Sequence, residues 1–464
     1  MNSFYCMRFY VTYRCNSRCG YCNVWQDPAF RGIKELSEAE GMELIRQCHG
    51  AGVRFLDFTG GEPTLCPHLP RWITFAKSLG IKTEVTTNAA ITSDETLDEI
   101  AALVDKCNVS LDTLDPQRYH RIRGIDRHGA VVSALTRIRK LRQAAGLNPP
   151  RIVMTLSGEN GEDLPEMISF AQKTGVELYL NPMFPFFSGQ MAGNQSALAA
   201  QIASAVYAPN TVVMLHFVEF CTAQGEDDRP KCSANRQTLT FAPDGSLILP
   251  CYHACQTSLP WTGNLEQMLS QPLFRQYQLH QDFCSRCKQC TVTPYFGISF
   301  NHRLNRYFLI QSYSEKLNHL KRDYLNYNPQ WEIPSAQLLP LLEILRQTAA
   351  SYPAQESEDQ DCWQLEQVPH FGFDWITKEV YAPAFEAFHR QPSQQLTQIF
   401  SQAAQFQLRW WIHYLQQHMS CAILMPPEEN RSWLEAYLDL LSRECLARDW
   451  SQGTRAVNYC KQLL

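Results

Sequence analysis

The chain has 464 residues, of which 45% are hydrophobic and 19% are charged, so it is long enough for two or three globular domains. Its 41 basic and 46 acidic residues give a formal net charge of -5, which disfavours a nucleic-acid partner because no excess positive field attracts phosphates. No secretory signal stands at the start, and no apolar run reaches the about 18 residues that a membrane span requires. These features predict a cytoplasmic protein without membrane association.

Residues 5 to about 181 alternate short β-branched and aromatic runs with helical patterns. The predicted strands lie in FYCMRFYVTY, VRFLDFT, IKTEVTT, KCNVSLD, RIVMTLS and VELYLN. Glycine follows several of the helical segments where a C-cap is expected, at Gly52, Gly80, Gly146 and Gly175. The alternation predicts about six βα units, as in a partial barrel or a doubly wound sheet. Ligands bind at the carboxyl ends of the strands in both, so the loops after the strands are the candidate site.

The remainder of the chain differs in character. Residues 182 to 230 are rich in Pro, Gly, Asn and small residues, which predicts an irregular connector. In QTLTFAPDGSLILPC the pair Asp244-Gly245 predicts a hairpin. Beyond residue 300 glycine is rare while Gln, Leu, Trp and Tyr are frequent, which predicts a mostly helical region. In that region Trp410, Trp411 and Tyr414 have near-helical spacing, a pattern more typical of core packing than of a substrate groove.

Cys15, Cys19 and Cys22 stand in YRCNSRCGYC, in the loop that follows the first predicted strand. A structural zinc site takes four protein ligands, and no fourth Cys or His nearby completes one. Three thiolates can instead hold three irons of a four-iron cluster, which leaves the fourth iron open to a small molecule. Three partly buried cysteines without a special role are the alternative interpretation.

The C-x3-C-x2-C spacing, with Tyr21 beside the last cysteine, resembles the signature of the radical S-adenosylmethionine (SAM) superfamily. This resemblance implies that Cys15, Cys19 and Cys22 hold a [4Fe-4S] cluster whose open iron binds SAM. It also implies reductive cleavage of SAM to a 5'-deoxyadenosyl radical, with electrons from a reducing protein such as flavodoxin or ferredoxin. A non-catalytic iron-sulfur or zinc-binding protein is the alternative from another class.

The loops after the next strands add candidate cofactor-binding residues. Gly60 and Gly61 let backbone approach a ligand closely, and Glu62 can accept a hydrogen bond from an ammonium group. With Pro63 they are similar to the superfamily's GGEP element, which contacts the SAM amino group. The resemblance extends to four residues at the ends of the third and fourth strands and to an arginine in HRIRG that can pair with the SAM carboxylate: Thr87, Asn88, Ser110, Asp112 and Arg123. Ordinary caps, turns or a solvent-facing arginine are the alternatives for these five.

A second group of cysteines follows the connector. Cys232, Gly245 and Cys251 form a C-x12-G-x5-C arrangement that is similar to the start of the SPASM and twitch extensions of radical SAM enzymes. The resemblance implies one auxiliary [4Fe-4S] cluster with the ligands Cys232, Cys251, Cys284 and Cys287. Cys290 or Cys255 could replace one of these ligands or help hold a second cluster. A structural zinc knuckle is the alternative, because CxxC pairs are also typical of zinc sites.

The predicted fold is therefore α/β, a partial (β/α)6 barrel followed by a small twitch/SPASM-like domain and a mostly helical C-terminal region. The predicted boundaries are 1–185 for the barrel, 186–230 for the connector, 231–300 for the auxiliary cluster domain and 301–464 for the C-terminal region. Cys221, Cys362, Cys421, Cys445 and Cys460 are dispersed and are expected to be mostly buried small apolar residues, although one could donate hydrogen to a substrate radical.

The resemblance predicts an oxidoreductase or isomerase that abstracts hydrogen from its substrate. A ribosomally made peptide is favoured, through epimerisation, crosslinking or dehydrogenation, because many twitch and SPASM relatives modify peptides. Oxidation or rearrangement of a small metabolite is the alternative. The first strand begins within about five residues of Met1, which leaves no room before it for a leader-recognition module and weakens the peptide prediction.

Overall fold

The structure is a computed structural model that describes residues 4–90, 93–183, 195–205, 208, 210–214, 232, 234–253, 257–279, 290, 292, 294, 295 and 318. The chain divides into two units by its internal contacts. The first comprises Met1–Ile202, Asn210–Val212 and Lys231–Ser299, and the second comprises Ala203–Pro209, Val213–Pro230 and Phe300–Leu464. The first unit contains the sheet and the cysteine groups described below.

A ten-stranded sheet organises the first unit, in the order β10-β9-β8-β1-β2-β3-β4-β5-β6-β7. All neighbouring strands from β8 to β7 pair in parallel, and the β8–β9 and β9–β10 pairs are antiparallel. The strands are β1 Cys6–Thr12, β2 Phe55–Gly60, β3 Lys82–Thr87, β4 Lys106–Ser110, β5 Arg151–Leu156, β6 Glu177–Pro182, β7 Thr211–Val212, β8 Thr238–Phe241, β9 Leu247–Leu249 and β10 Thr257–Leu259.

Helices connect the parallel strands. They are α1 Glu38–Gly50, α2 Leu69–Ser78, α3 Asp94–Leu103, α4 Pro116–Arg123, α5 His128–Ala144, α6 Leu164–Thr174, α7 Gln195–Ser204, α8 Ala234–Gln237, α9 Leu265–Ser270 and α10 Pro272–Leu279. Trp72 of α2 is fully buried and lies 5.2 Å, between ring centroids, from Phe9 of β1. Within the described ranges no helix combines the length and apolarity needed to cross a bilayer.

The two faces of the parallel strands carry different side chains, because successive residues of a strand point to opposite faces. Met7 and Phe9 belong to the apolar face, which packs on the helices. The other face carries ion pairs between neighbouring strands, namely Arg8–Asp57 at 2.5 Å, Arg151–Glu177 at 3.0 Å and Lys106–Glu84 at 3.8 Å. The predicted α/β fold, a partial barrel of parallel strands with covering helices, is confirmed.

Local predictions from glycine are also confirmed. Gly52, Gly80, Gly146 and Gly175 have positive φ angles after their helices. Gly245 has φ 79° in the turn between β8 and β9, which form the predicted hairpin.

Other parts of the fold differ from the prediction. The segment predicted as an irregular connector contains α7 and also β7, which pairs with β6. Helix α4 was not predicted, and neither was the parallel pairing of β8 with β1. The predicted helical region 301–464 lies outside the described residues apart from residue 318. The bounds of the four predicted domains stay predictions.

Arg142 of α5 is a fully buried arginine that joins three segments of the barrel. Its guanidinium donates to the carbonyl oxygens of Ala101, Val104, Asp105 and Asn148 at 2.5 to 2.9 Å. The last carbonyl groups of a helix have no partner within that helix, so Arg142 completes the end of α3.

Replacing Arg142 with methionine is expected to lower the free energy of unfolding by about 3 kcal/mol or more, because each buried carbonyl left without a donor costs about 1–3 kcal/mol. Urea unfolding of the metal-free protein measures this. Arg46→Met is the control, since Arg46 lies at the surface of α1 beside Glu43, and it should change stability little. Equal losses in the two variants would contradict the role given to Arg142.

Candidate functional site

Cys15, Cys19 and Cys22 lie in the loop that follows β1, here called the first cysteine loop and defined as residues 13–25. Cys19 is 8% exposed, and Cys15 and Cys22 are partly buried. No described cysteine forms a disulfide bond. The three predicted thiols are therefore present together at the carboxyl end of the first strand.

The end of β2 holds one side of this loop through its backbone. The N–H of Gly61 donates to the carbonyl of Thr12 at 2.7 Å, and the N–H of Glu62 donates to that of Arg14 at 2.8 Å. A Cβ on Gly60 would lie 2.2 Å from the Thr12 oxygen, and one on Gly61 would lie 2.2 Å from the Arg14 oxygen. The close backbone approach predicted for the two glycines is thus observed toward the cysteine loop, while an approach to a ligand stays a prediction.

The end of α4 holds the other side of the loop. Arg18 N–H donates to the Arg123 carbonyl at 2.9 Å, and Gly20 N–H donates to the Ile122 carbonyl at 3.0 Å. Gly124 ends α4 in the left-handed conformation with φ 65°, and a Cβ there would lie 2.4 Å from the Arg18 oxygen. The cysteine loop is consequently fixed between two backbone segments that tolerate only glycine at the contact.

Glu62 is 1% exposed and accepts hydrogen bonds from three neighbouring residues. Its Oε1 accepts from the Thr87 hydroxyl at 2.6 Å, the Thr64 hydroxyl at 2.7 Å and the Thr64 N–H at 3.2 Å, and its Oε2 accepts from Asn88 N–H at 2.7 Å. Burial raises the pKa of Glu62, and these bonds oppose the increase. Each carboxylate oxygen has about two acceptor positions, so Oε2 retains capacity for the predicted ammonium donor. Pro63 begins the 3-10 turn Pro63–Leu65 that places Thr64 against Glu62.

Asn88 links the end of β3 to the cysteine loop. Its side-chain nitrogen donates to Asn16 Oδ1 at 2.7 Å and lies 3.9 Å from Cys15 Sγ. The next residue, Ala89, has φ 51°, an uncommon conformation for a residue with a Cβ. The Thr87 hydroxyl accepts from Ala89 N–H at 3.0 Å and thereby supports this turn.

Arg123, Asp112 and Tyr21 form a buried cluster beside Cys19. Arg123 Nε lies 2.6 Å from Asp112 Oδ2, and the same oxygen accepts from the Tyr21 hydroxyl at 3.3 Å. Arg123 Nη1 lies 3.8 Å from Cys19 Sγ, and its guanidinium carbon lies 5.6 Å from the centre of the Tyr21 ring. Arg123 is thus a buried cation paired with Asp112, which corrects the alternative of a solvent-facing arginine. The SAM contacts assigned to Asp112 and Arg123 stay predictions, as does that of Ser110, the last residue of β4.

The environment of the thiols fits a cluster held by thiolates. Burial raises the pKa of Cys15 to about 11 and that of Cys22 to about 12, so the thiols stay protonated near neutral pH without a metal to stabilise the thiolates. Three hydrogen-bond donors approach the sulfurs. Ser17 N–H lies 3.5 Å and the Asn88 side-chain amide 3.9 Å from Cys15 Sγ, and the Arg123 guanidinium lies 3.8 Å from Cys19 Sγ. Asn16 Nδ2 and Ser17 Oγ are buried polar atoms with no hydrogen-bond partner in the described part of the chain. These groups can serve the sulfurs of an iron-sulfur cluster or the polar atoms of a ligand.

Within the residues that the structure describes, no group of three or more His, Cys, Asp or Glu side chains is arranged to hold a single metal ion. The thiolates of a four-iron cluster each bind a different iron, so they need not converge on one point.

The second cysteine group comprises, among described residues, Cys232, Cys251 and Cys290. All three pack against the buried side chains of Ala234, Val292 and Tyr295. Eight other cysteines beyond the barrel, two of them predicted ligands, lie outside the described residues: Cys221, Cys255, Cys284, Cys287, Cys362, Cys421, Cys445 and Cys460. The ligand set of an auxiliary cluster therefore stays a prediction.

Sequence reasoning missed two further contacts of the first cysteine loop. Arg14 donates to Glu35 from Nε at 2.8 Å and from Nη2 at 2.9 Å, and Thr12 donates its hydroxyl proton to the same carboxylate. Trp25 donates from its indole nitrogen to the Cys19 carbonyl at 2.9 Å. Glu35 belongs to no motif and carried no signal, whereas Trp25 stands within the cysteine stretch.

Comparisons with known proteins agree with this site. The Radical SAM superfamily profile matches residues 9–171. A GTP 3',8-cyclase from Chlorobaculum tepidum is 33% identical over 187 residues, 40% of this chain and 55% of the relative. An S-adenosylmethionine-dependent nucleotide dehydratase from Lacinutrix mariniflava is 36% identical over 121 residues, 25% of each chain. The chain spans about half the length of the GTP 3',8-cyclase that it matches.

Among solved structures, SuiB from Streptococcus suis is similar in fold. Its complex with the precursor peptide SuiA has a TM-score of 0.50 at 17% identity and covers 64% of this chain and 71% of that chain. Its complex with S-adenosylmethionine has a TM-score of 0.50 at 17% identity, and the match covers 63% of this chain and 72% of SuiB. At this identity the likeness concerns the fold alone.

Gly61→Ala is expected to abolish iron binding at the first cysteine loop, because the new Cβ would collide with the Arg14 carbonyl and displace the loop. Iron per chain after anaerobic reconstitution and the melting temperature both measure the effect. Gly129→Ala is the matched control, because a Cβ on Gly129 of α5 has no neighbour within 4 Å. If Gly61→Ala keeps the iron content and melting temperature of this control, the close approach does not hold the loop.

Proposed function

Because residues 9–171 are a radical SAM superfamily domain, we propose that the chain is an enzyme that cleaves SAM reductively and abstracts hydrogen from a substrate. The observation that carries the proposal is the first cysteine loop, whose three thiols are fixed by the GGEP backbone on one side and by the end of α4 on the other. A non-catalytic metal protein would need the thiols but not the buried Glu62 that faces the same loop.

Cys15, Cys19 and Cys22 are proposed to hold the [4Fe-4S] cluster. Bound there, the cluster supplies the electron for reductive cleavage of SAM. Burial raises the pKa of Cys19, and the positive charge of Arg123 opposes this increase and so favours the thiolate. Glu62 is proposed to accept a hydrogen bond from the SAM amino group at Oε2. Burial of these groups excludes water from the site.

Electrons are proposed to come from a reducing protein such as flavodoxin or ferredoxin. An auxiliary [4Fe-4S] cluster is proposed at the second cysteine group, and the common packing of Cys232, Cys251 and Cys290 supports it. Cys284 and Cys287 remain proposed ligands beside these three.

We propose a small metabolite as the substrate, in preference to the ribosomally made peptide that the sequence favoured. The relatives found by sequence include GTP 3',8-cyclases and a nucleotide dehydratase, whose names refer to small molecules. The likeness to SuiB, which was crystallised with a precursor peptide, lies in the fold. The sequence relatives therefore support the metabolite more directly than the fold supports a peptide.

The charges on the face of the sheet opposite the helices, here called the inner face, restrict the class of metabolite. Among the described residues of this face, Arg8, Lys106 and Arg151 are each paired with an anion on a neighbouring strand. A polyphosphate binds where cations are available to it. The balanced charges fit a polar metabolite of low net charge better than a nucleoside triphosphate.

Replacing Cys15, Cys19 and Cys22 together with alanine is expected to abolish formation of 5'-deoxyadenosine from SAM and dithionite, because the cluster loses its ligands. Chromatography and mass spectrometry of anaerobic reactions measure the product. Cys107→Ala is the control, because Cys107 is a buried thiol on β4 outside the cysteine groups. Full activity in the triple variant, or none in the loaded wild-type protein, would refute the proposed chemistry.

Deuterium is expected to pass into 5'-deoxyadenosine from the small-molecule fraction of a deuterated cell extract, because hydrogen abstraction moves one substrate hydrogen to the nucleoside. Peptide fractions and deuterated GTP serve as parallel samples, and mass spectrometry of 5'-deoxyadenosine gives the result. Transfer from the peptide fraction alone would overturn the metabolite proposal, and transfer from GTP would overturn the restriction on charge.

A further inference from the structure

Tyr252 follows Cys251 directly and contacts the first cysteine loop. Its ring stacks on Tyr10 of β1 with centroids 4.1 Å apart and an interplanar angle of 15°. Its hydroxyl donates to Asn23 Oδ1 at 3.2 Å, and the side chain is 7% exposed. Asn23 directly follows Cys22, a cysteine of the first group, and Tyr252 directly follows Cys251, a cysteine of the second group. The hydrogen bond between Tyr252 and Asn23 therefore connects the two groups.

The backbone of Tyr252 is fixed from the side of the second cysteine group. Its N–H donates to the hydroxyl of Tyr295, which also lies 3.3 Å from Thr240 Oγ1. Tyr295 belongs to the buried residues against which the second cysteine group packs. The ring of His253 contacts Tyr252 and Tyr295 edge-on, with centroids 5.4 and 5.9 Å away. An unbroken series of contacts thus runs from the second cysteine group to the first.

Tyr295 is anchored to the sheet as well. The guanidinium of Arg8 lies 5.1 Å from the centre of the Tyr295 ring and donates to the Pro294 carbonyl at 3.3 Å. Arg8 is itself held by Asp57. Tyr295 is therefore held between the sheet on one side and Tyr252 on the other.

Cys22 and the partly buried Phe30 both pack against the buried cluster that contains Tyr10, Tyr13 and Tyr252. Tyr13 and Phe30 lie 4.6 Å apart between centroids, and Phe30 lies 6.1 Å from Tyr252. Asn23 in turn accepts through its carbonyl from Gln26 N–H at 3.0 Å and from Asp27 N–H at 2.8 Å. The turn after Cys22 is therefore attached to Tyr252 through both its side chains and its hydrogen bonds.

We propose that Tyr252 is a positioning residue that couples the two cysteine groups. Metal binding at the second group orders Tyr295 and Tyr252, and Tyr252 then holds Asn23 and the turn after Cys22 in the conformation that receives the first cluster. The inference rests on the proposed function only in taking an iron-sulfur cluster as the group bound by the first loop.

Hydrogen exchange in the metal-free full-length protein tests the contact without any cluster. The amides of Cys22, Gln26 and Asp27 are bonded within the loop and report its opening. Tyr252→Phe removes the bond to Asn23, and Tyr252→Leu removes the ring stacking as well. Exchange at these amides should accelerate roughly 2-fold in the first variant and about 10-fold in the second, in line with the energies of single hydrogen bonds and aromatic pairs.

Tyr179→Phe is the matched control, because it removes a hydroxyl from a tyrosine of β6 beside Arg151, on another part of the sheet. Exchange at the three amides should equal that of the wild type. Unchanged exchange in both Tyr252 variants would overturn the proposal, and Tyr252→Phe decides the question alone if Tyr252→Leu fails to fold.

The second measurement is the electron paramagnetic resonance spectrum and midpoint potential of the reconstituted, reduced protein. The signal that changes when SAM is added belongs to the first cluster. Tyr252→Phe and Cys251→Ala should each shift its potential, and the double variant should shift it no further than the larger single effect, because both changes interrupt one series of contacts. Additive shifts, or no shift, would overturn the coupling.

The two proposals fail in different ways. If the wild-type signal does not respond to SAM, the proposed function fails while the exchange measurement still decides whether Tyr252 positions the loop. If the wild-type signal responds and Tyr252→Phe matches Tyr179→Phe in potential and exchange, the coupling fails while the proposed function stands.

Discussion

The close approach of backbone to backbone around the first cysteine loop is the constraint on which the site depends. Two segments distant in sequence each form two main-chain hydrogen bonds with the loop or with Thr12 just before it, namely the residues after β2 and the end of α4. Both contacts require glycine, since a Cβ at Gly61 or Gly124 would fall within 2.4 Å of a loop carbonyl. Without these contacts, the loop would lose its conformational entropy when it binds metal, and that loss would weaken metal binding. The sheet therefore positions the thiols in advance, and the cluster completes a conformation that already exists.

The charged side chains beside this loop are buried, so each of them needs compensating partners. Glu62 and Asp112 are almost completely buried, and each is compensated differently: Glu62 by hydroxyl and backbone donors, Asp112 by Arg123. Arg123 also lies near Cys19, so one buried cation serves both a carboxylate and a thiol. Because a buried charge without compensation is costly, the pairing with Asp112 allows Arg123 to remain a buried cation. The described site thus places a positive charge beside Cys19, where it favours the thiolate.

Features that depend on residues close together in sequence could be predicted, whereas contacts between residues far apart in sequence could not. The cysteine spacing, the glycine caps and the Asp244-Gly245 turn depend on neighbouring residues, and the structure contains all of them. The pairing of Asp112 with Arg123 depends on α4, which was not predicted, and the contact of Asn23 with Tyr252 spans 229 positions. No periodicity marks either pair, and the contact of Asn23 with Tyr252 arises only once β8 lies beside β1 and brings the second cysteine group to the first loop.

The position of β8 beside β1 brings together two parts of the chain that differ in their similarity to known proteins. The Radical SAM superfamily profile matches residues 9–171, the part that carries the cysteine loop and the GGEP element. On the inner face of the sheet next to this part, the described cations Arg8, Lys106 and Arg151 are already paired with anions on neighbouring strands. Tyr252 and Tyr295 enter from beyond that similar part and reach both the loop and the inner face. The part of the chain that matches the superfamily profile and the residues beyond it therefore meet at β8 and the residues that follow it, where Tyr252 and Cys22 pack in the same cluster.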